Sequence, residues 1–327
     1  MKAFAILLTI YLSVAGDSVP SPCQVLTSDG EAPKQMLDQR SPVRQDLGLF
    51  RFRKEVEEVV LNLSVLDERH QPVSYLNISN FTVTESGKPQ KITSFRREDI
   101  PVAMGLVVDS SASMIEIRSA VNQAALNLVN ASNERDQVFI VNFNKDWYLD
   151  QGFTSDVNKL RSALDQVEFR GSTALFDAMR ASVDYLKTNV ALEKRVLIVI
   201  TDGDDNMSSN TLQETAQALA VKDGPIVYTI GILHDERKER LERALRLIAE
   251  STGGIAYLPK SVEEVNAISM QVARDIRNQY TISYRPSTPK EDCGYRTIKV
   301  VVNAPRNGKL IVRTKTGYFP EQHCAFR

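Results

Sequence analysis

At 327 residues the chain exceeds the ~100–200 residues of one domain and points to two. Its 40 lysines and arginines nearly balance 41 aspartates and glutamates, so it lacks the broad positive field that binding to nucleic acid draws on, and no nucleic acid partner is expected. Three cysteines, Cys23, Cys293 and Cys324, are too few to build a disulfide scaffold.

The first residues, MKAFAILLTIYLSVAGDS, have one lysine, an apolar run from Ala3 to Leu12, and small residues at Ser13, Ala15 and Gly16. That is the layout of a secretory signal peptide over residues 1–16, and it predicts a secreted or periplasmic protein. The run falls short of the ~20 apolar residues of a spanning helix, and no other segment qualifies, so the mature chain is expected to have no transmembrane segment. Residues 17–47 are polar, bear prolines and lack periodicity, as a linker does.

Residues 48–99 read as β structure without a helix. Val59, Leu61, Leu63 and Val65 alternate with more polar neighbours, the period of a half-buried strand. A turn at Asp67–Pro72 follows, then strands at Phe81–Glu85 and Ile92–Phe95 around the turn Ser86-Gly87-Lys88-Pro89.

From residue 100 to 277 nearly continuous apolar runs alternate with helical patterns, the signature of parallel strands with crossover helices. The predicted strands are Val102–Val108, Gln137–Phe143, Arg195–Ile200, Pro225–Ile232 and the shorter Ile255–Leu258. The predicted helices span 115–131, 156–167, 173–188, 210–222, 238–251 and 261–277. This is a doubly wound, mostly parallel α/β sheet. After Asn278 the period returns to two, through Tyr280, Ile282 and Tyr284, then Ile298, Val300 and Val302, then Leu310 and Val312. Neither flanking β segment can bury an adequate core alone. Residues 48–99 and 278–320 are therefore predicted to form one small composite β-sandwich, with the α/β domain inserted between its strands and a tail at 321–327. Cys293 and Cys324 are the plausible disulfide pair, closing a loop of about thirty residues for ~3 kcal/mol. A zinc site using both with His323 would have at most three ligands, two of them adjacent.

Ligands of open α/β sheets bind beyond the carboxyl ends of the strands. The first strand there ends in Asp109-Ser110-Ser111-Ala112-Ser113, a carboxylate and two hydroxyls at alternate positions. The strand VLIVI ends in Thr201-Asp202-Gly203-Asp204-Asp205, and between the two comes Arg170-Gly171-Ser172-Thr173. Taken singly, such serines and threonines are ordinary helix caps and Asp202-Gly203 an ordinary turn. Together they offer only oxygen donors, which suit a hard cation such as Mg²⁺ with part of its shell left to water.

Asp-x-Ser-x-Ser, a later Gly-x-Thr and a still later Thr-Asp-Gly, in this order and on these elements, resemble the von Willebrand factor type A domain over residues 100–277. The resemblance implies a metal-ion-dependent adhesion site with Asp109, Ser111, Ser113, Thr173 and Asp202 as metal ligands. It implies Mg²⁺, with Mn²⁺ or Ca²⁺ as alternatives, and a protein partner that presents an acidic residue to the metal. Asp204 and Asp205 match nothing in the family pattern. The flanking phrases FTVTESGKPQKITSF and YTISYRPS are similar to those of exported bacterial proteins with such a domain.

The expected function is thus an exported, metal-dependent adhesion or interaction module, not an enzyme. The sequence holds no GxGxxG after the first strand, no GxxxxGK[ST] and no GxSxG. Its three histidines, His70, His234 and His323, are scattered and form no metal or catalytic cluster. The alternatives are a hydrolase in which the metal activates water, with Asp204 or Asp205 as base, and a structural subunit whose metal stabilises the fold.

Overall fold

A computed structural model of the chain describes residues 58–97, 99–232, 238–287, 294–304 and 308–320. The signal peptide, the linker, the tail, all three cysteines, His234 and His323 lie outside the described residues.

The first strands are β1 (Val59–Leu66), β2 (Phe81–Glu85), β3 (Lys88–Gln90) and β4 (Ile92–Arg96). Val59, Leu61, Leu63 and Val65 are all buried, as their alternation requires. After β1, the Asp67 carboxylate accepts hydrogen bonds from the backbone N–H groups of Arg69 and Gln71 and closes the predicted turn. The second turn is tighter than expected: Ser86 and Gly87 both take positive φ, so Lys88 pairs back on Glu85 and a third strand forms. Pro89, which cannot donate to a ladder, is tolerated because β3 lies at a sheet edge. The expectation of no helix here needs one correction, a 3₁₀ turn at Ile78–Asn80 capped by the Asn77 side chain.

Then come β5 (Val102–Asp109), α1 (Arg118–Asn130), β6 (Gln137–Phe143), β7 (Trp147–Thr154), α2 (Val157–Gln166), α3 (Leu175–Asn189), β8 (Lys194–Thr201), α4 (Leu212–Leu219), β9 (Ile226–Gly231), α5 (Lys238–Thr252), β10 (Ala256–Tyr257) and α6 (Glu263–Arg277). The strands lie in the order β10-β9-β8-β5-β6-β7, and all are parallel except β7. Side chains of β5 such as Met104 and Leu106 pack under α1, α2 and α6, while Ala103 and Val107 pack under α3, α4 and α5. Burial on both faces is why the central strands read as unbroken apolar runs. Gly105 in the middle of β5 makes room for a neighbour, since a Cβ there would lie 2.4 Å from the Phe139 ring.

The chain ends in β11 (Tyr280–Tyr284), β12 (Arg296–Val302), β13 (Ile311–Arg313) and β14 (Gly317–Tyr318). These join the first strands in two four-stranded sheets, β13-β1-β11-β4 and β14-β12-β2-β3. Leu61, Leu63, Phe81, Val83, Tyr280, Ile282 and Ile298 form one shared core. Within it the fully buried Glu85 accepts from the hydroxyls of Tyr284 (2.7 Å) and Tyr318 (2.9 Å), with Arg296 at 3.8 Å.

The sandwich and the α/β domain meet at Asp275, in the last turn of α6. Its carboxylate accepts from Ser64 Oγ of β1 (3.0 Å), Tyr228 OH of β9 (2.6 Å) and the Arg313 guanidinium of β13 (2.6 Å). Removing one member of a buried, hydrogen-bonded ion pair leaves the other charge uncompensated. Asp275→Ala is therefore expected to lower stability by about 3 kcal/mol, measured by urea unfolding, and Asp275→Asn by less; a loss under ~0.5 kcal/mol in the alanine variant would show that the cluster does not hold the joint.

Candidate metal centre

β5 runs out of the sheet at Asp109, and the next residues separate by side. Ser110 is fully buried and turns to β6, its Oγ donating towards Asn142 Oδ1 and the Phe143 carbonyl, each at 3.0 Å. Ser111 and Ser113 then fall on the opposite side, which is why alternate positions carry the candidate donors. Asp109 is held at both oxygens: Oδ1 accepts from Ser111 N (2.8 Å) and Oδ2 from Thr201 Oγ1 (2.6 Å), at the end of the neighbouring strand β8.

The three loops converge. Ser111 Oγ lies 3.1 Å from Ser113 Oγ, which donates to Asp202 Oδ1 at 2.8 Å. Gly171, at φ 76°, lets the middle loop lie against the first, with Arg170 N donating to the Ser110 carbonyl (2.9 Å) and Ala112 N to that of Gly171 (3.4 Å). Thr173 is buried, and Asn206 fixes its backbone: Thr173 N donates to Asn206 Oδ1 and Asn206 N to the Thr173 carbonyl, both at 3.0 Å. Its hydroxyl faces the backbone of Gly203, where a Cβ would stand 3.4 Å from Oγ1. All five predicted residues thus lie on one edge of the sheet. Asp109, Ser111, Ser113 and Asp202 form a continuous chain of contacts, and Thr173 packs beside Gly203.

The hydroxyls are not acting as helix caps. Ser111 makes no side-chain capping bond to the backbone of the 3₁₀ turn that follows it (Ala112–Ile115), and the residue before α3 is Ala174, which has no polar side chain to cap with. The cap of α3 comes from Asp205, whose Oδ2 accepts from Phe176 N (3.0 Å) and from Ser208 Oγ. Asp177 in turn accepts from Ser209 N and Asn210 N, stitching the loop after β8 to the start of α3. These roles for Asp205, Asn206 and Asp177 were not visible in the sequence, because caps made by a distant loop leave no local spacing signal.

Burial is the main reason the Asp109 carboxyl is pushed up to about 6, and the nearby Asp202 charge adds to it; the bonds from Thr201 and Ser111 work the other way. No ion pair reaches Asp109 among the described residues. Two carboxylates and three hydroxyls at the end of a parallel sheet make a donor set of oxygen alone, with an uncompensated buried charge at its base. That chemistry fits a hard divalent cation.

Residues 104–204 match the family model of the von Willebrand factor type A domain, a span that holds all five residues. Among solved structures, the BatB protein of Bacteroides thetaiotaomicron is similar at 21% identity, over 53% of this chain and 98% of that one, with a TM-score of 0.43. An aerotolerance-related membrane protein of Bacteroides fragilis is similar at 18% identity, over 54% and 98%, TM-score 0.44. A von Willebrand factor type A protein of Catenulispora acidiphila is similar at 10% identity, over 83% and 76%, TM-score 0.48. No curated protein matches the chain.

The folded Asp109 pKa stands above the unfolded value, so in the metal-free protein its contribution to stability is full below about 4 and is lost as pH rises through about 6. Asp109→Asn removes that cost. The variant, stripped of metal, is expected to be more stable than the parent at pH 7.5 by about 2–3 kcal/mol and to lose the advantage at pH 4; thermal unfolding at both values checks this, and an equal or lower midpoint at pH 7.5 contradicts it.

Proposed function

We propose that this chain, which carries a von Willebrand factor type A domain, binds a protein partner through a divalent cation held by Asp109, Ser111, Ser113, Thr173 and Asp202. The observation that carries this reading is the convergence of three loops, each at the carboxyl end of a strand or the start of a helix, on one all-oxygen donor set. Mg²⁺ suits two carboxylates and several neutral oxygens, and Mn²⁺ or Ca²⁺ could take its place. When bound, the cation supplies a positive charge with coordination left open to an acidic side chain of the partner. The chain's own part is to keep Asp109 anchored from two sides, so that little has to reorganise on binding.

The surroundings suit a protein surface. Ile115 follows the two serines and is 55% exposed, Met207 donates its N–H to the Thr173 carbonyl and is 50% exposed, and Trp147 on the adjoining β6–β7 hairpin is 48% exposed. An acidic residue flanked by apolar side chains would find complementary ground here. Export, through a signal peptide at residues 1–16 to a secreted or periplasmic location, belongs to the same reading. Among the described residues no helix is long and apolar enough to cross a membrane.

The hydrolase alternative is disfavoured by a specific contact. Asp205, one of its two candidate bases, is committed to capping α3, which leaves Asp204 as the remaining candidate base. Domains of this family generally serve as interaction modules without catalysis.

Calorimetric titration of Mg²⁺ and Mn²⁺ into metal-stripped protein is expected to show one site, lost in Asp109→Ala and Asp202→Ala variants that keep their circular dichroism. Absence of binding by the parent protein would overturn the metal site. With the site in hand, partner capture is expected to require the divalent ion; capture unchanged after its removal would overturn the function.

A further inference from the structure

At the amino ends of β8 and β9, on the edge opposite the candidate metal centre, a cavity of about 240 Å³ separates the α/β domain from β1 and the segment between β13 and β14. Arg195, Lys222 and Lys315 line it, with Asp223, Glu193 and Asn62. The cations are poorly compensated. Arg195 Nε is buried without a hydrogen-bond partner, and its Nη1 reaches only the Asp223 carbonyl at 3.3 Å. The Lys222 side chain is 14% exposed, and its carboxylate neighbour, Asp223, stands at 3.9 Å and is itself 46% exposed. Lys315 Nζ donates to a neutral acceptor, the Lys222 carbonyl, at 2.6 Å. Glu193 is turned to Arg96 at 2.7 Å. Asn62 spends its Oδ1 on Thr281, and among the described residues its amide nitrogen has no acceptor.

We propose that this cavity is a binding site for a small multivalent oxyanion, of the phosphate or polycarboxylate kind, gripped by Arg195, Lys222 and Lys315 and by the Asn62 amide. Half-buried cations with few close counter-charges are costly, and an anion that fits between them removes the cost. Burial pulls the Lys315 ammonium down to about 8, with Asp223 opposing the shift and the Lys222 charge adding a smaller push in the same direction. Because Lys315 comes from the C-terminal β segment and Arg195 and Lys222 from the α/β domain, the bound ion would bridge the two and tighten the joint.

The test is thermal unfolding of the full chain, stripped of metal on a chelating resin because EDTA is itself a polyanion, with inorganic phosphate and, separately, citrate. Sodium chloride at matched ionic strength is the control. At a hundredfold excess over Kd, either anion is expected to raise Tm by about 5 °C beyond chloride. The shift should vanish in Lys315→Met, fall in Asn62→Leu, which removes no charge and guards against a folding defect in the first variant, and persist in Lys315→Arg. A shift as large as the parent's in both Asn62→Leu and Lys315→Met, or none above chloride in the parent protein, would overturn the proposal.

Discussion

A parallel sheet covered by helices on both faces has no solvent-facing side on which to place polar groups. Its strands must be apolar along their length, and polar chemistry is confined to the edges where they end. In this chain that constraint decides where everything else sits. The carboxyl ends of β5 and β8 deliver Asp109 and Thr201 to one level, where the hydrogen bond between them fixes the carboxylate at the base of the candidate centre. The amino ends of β8 and β9 deliver Arg195 and, just before β9, Lys222 to the other side. The helices α1, α2 and α6 on one face and α3, α4 and α5 on the other leave no alternative.

What the sequence revealed, and what it hid, follows from the range of the interactions. Runs such as VAMGLVV and VLIVI declared the buried strands, and each predicted helix overlaps an observed one, because burial and helical spacing are local properties. The candidate residues were legible for the same reason, as Asp109, Ser111, Ser113 and Asp202 sit within a few residues of a strand end and Thr173 just before a helix. The edge strand Trp147–Thr154 escaped, because its pairing to β6 is broken by irregularities and its side chains alternate poorly between exposed and buried. The short strand expected at Ile255–Leu258 is present as β10, where two residues pair with β9. Asp205 looked like a spare carboxylate, Asn206 carried no signal of its role, and Arg195 looked like one more strand residue; each takes its meaning from a partner remote in the chain.

The joint between the two parts of the fold is polar where most cores are apolar. Asp275 gathers a hydroxyl from β1, a phenol from β9 and a guanidinium from β13, so that a single carboxylate requires three elements to be in register. Glu85 does the same inside the sandwich, with Tyr284, Tyr318 and Arg296. Such clusters add little net stability over well-packed hydrocarbon, but they penalise any arrangement that leaves a member unpaired. The sandwich, assembled from strands at opposite ends of the described chain, is the part that most needs that kind of discrimination.

The strands on either side of the α/β domain are hydrogen-bonded neighbours, with Ile282 of β11 facing Phe95 of β4. The inserted domain is, in effect, a very long hairpin loop. Closing such a loop while it is still a random coil costs chain entropy that a ladder of a few residues cannot offset. Once the insert has collapsed, its two ends stand side by side and the closure is nearly free. The order of events should therefore be fixed by connectivity, with amides of β5 and β8 acquiring protection in pulse-labelled refolding before those of β1 and β11. The first strands would wait as an unpaired apolar segment until the last ones arrive.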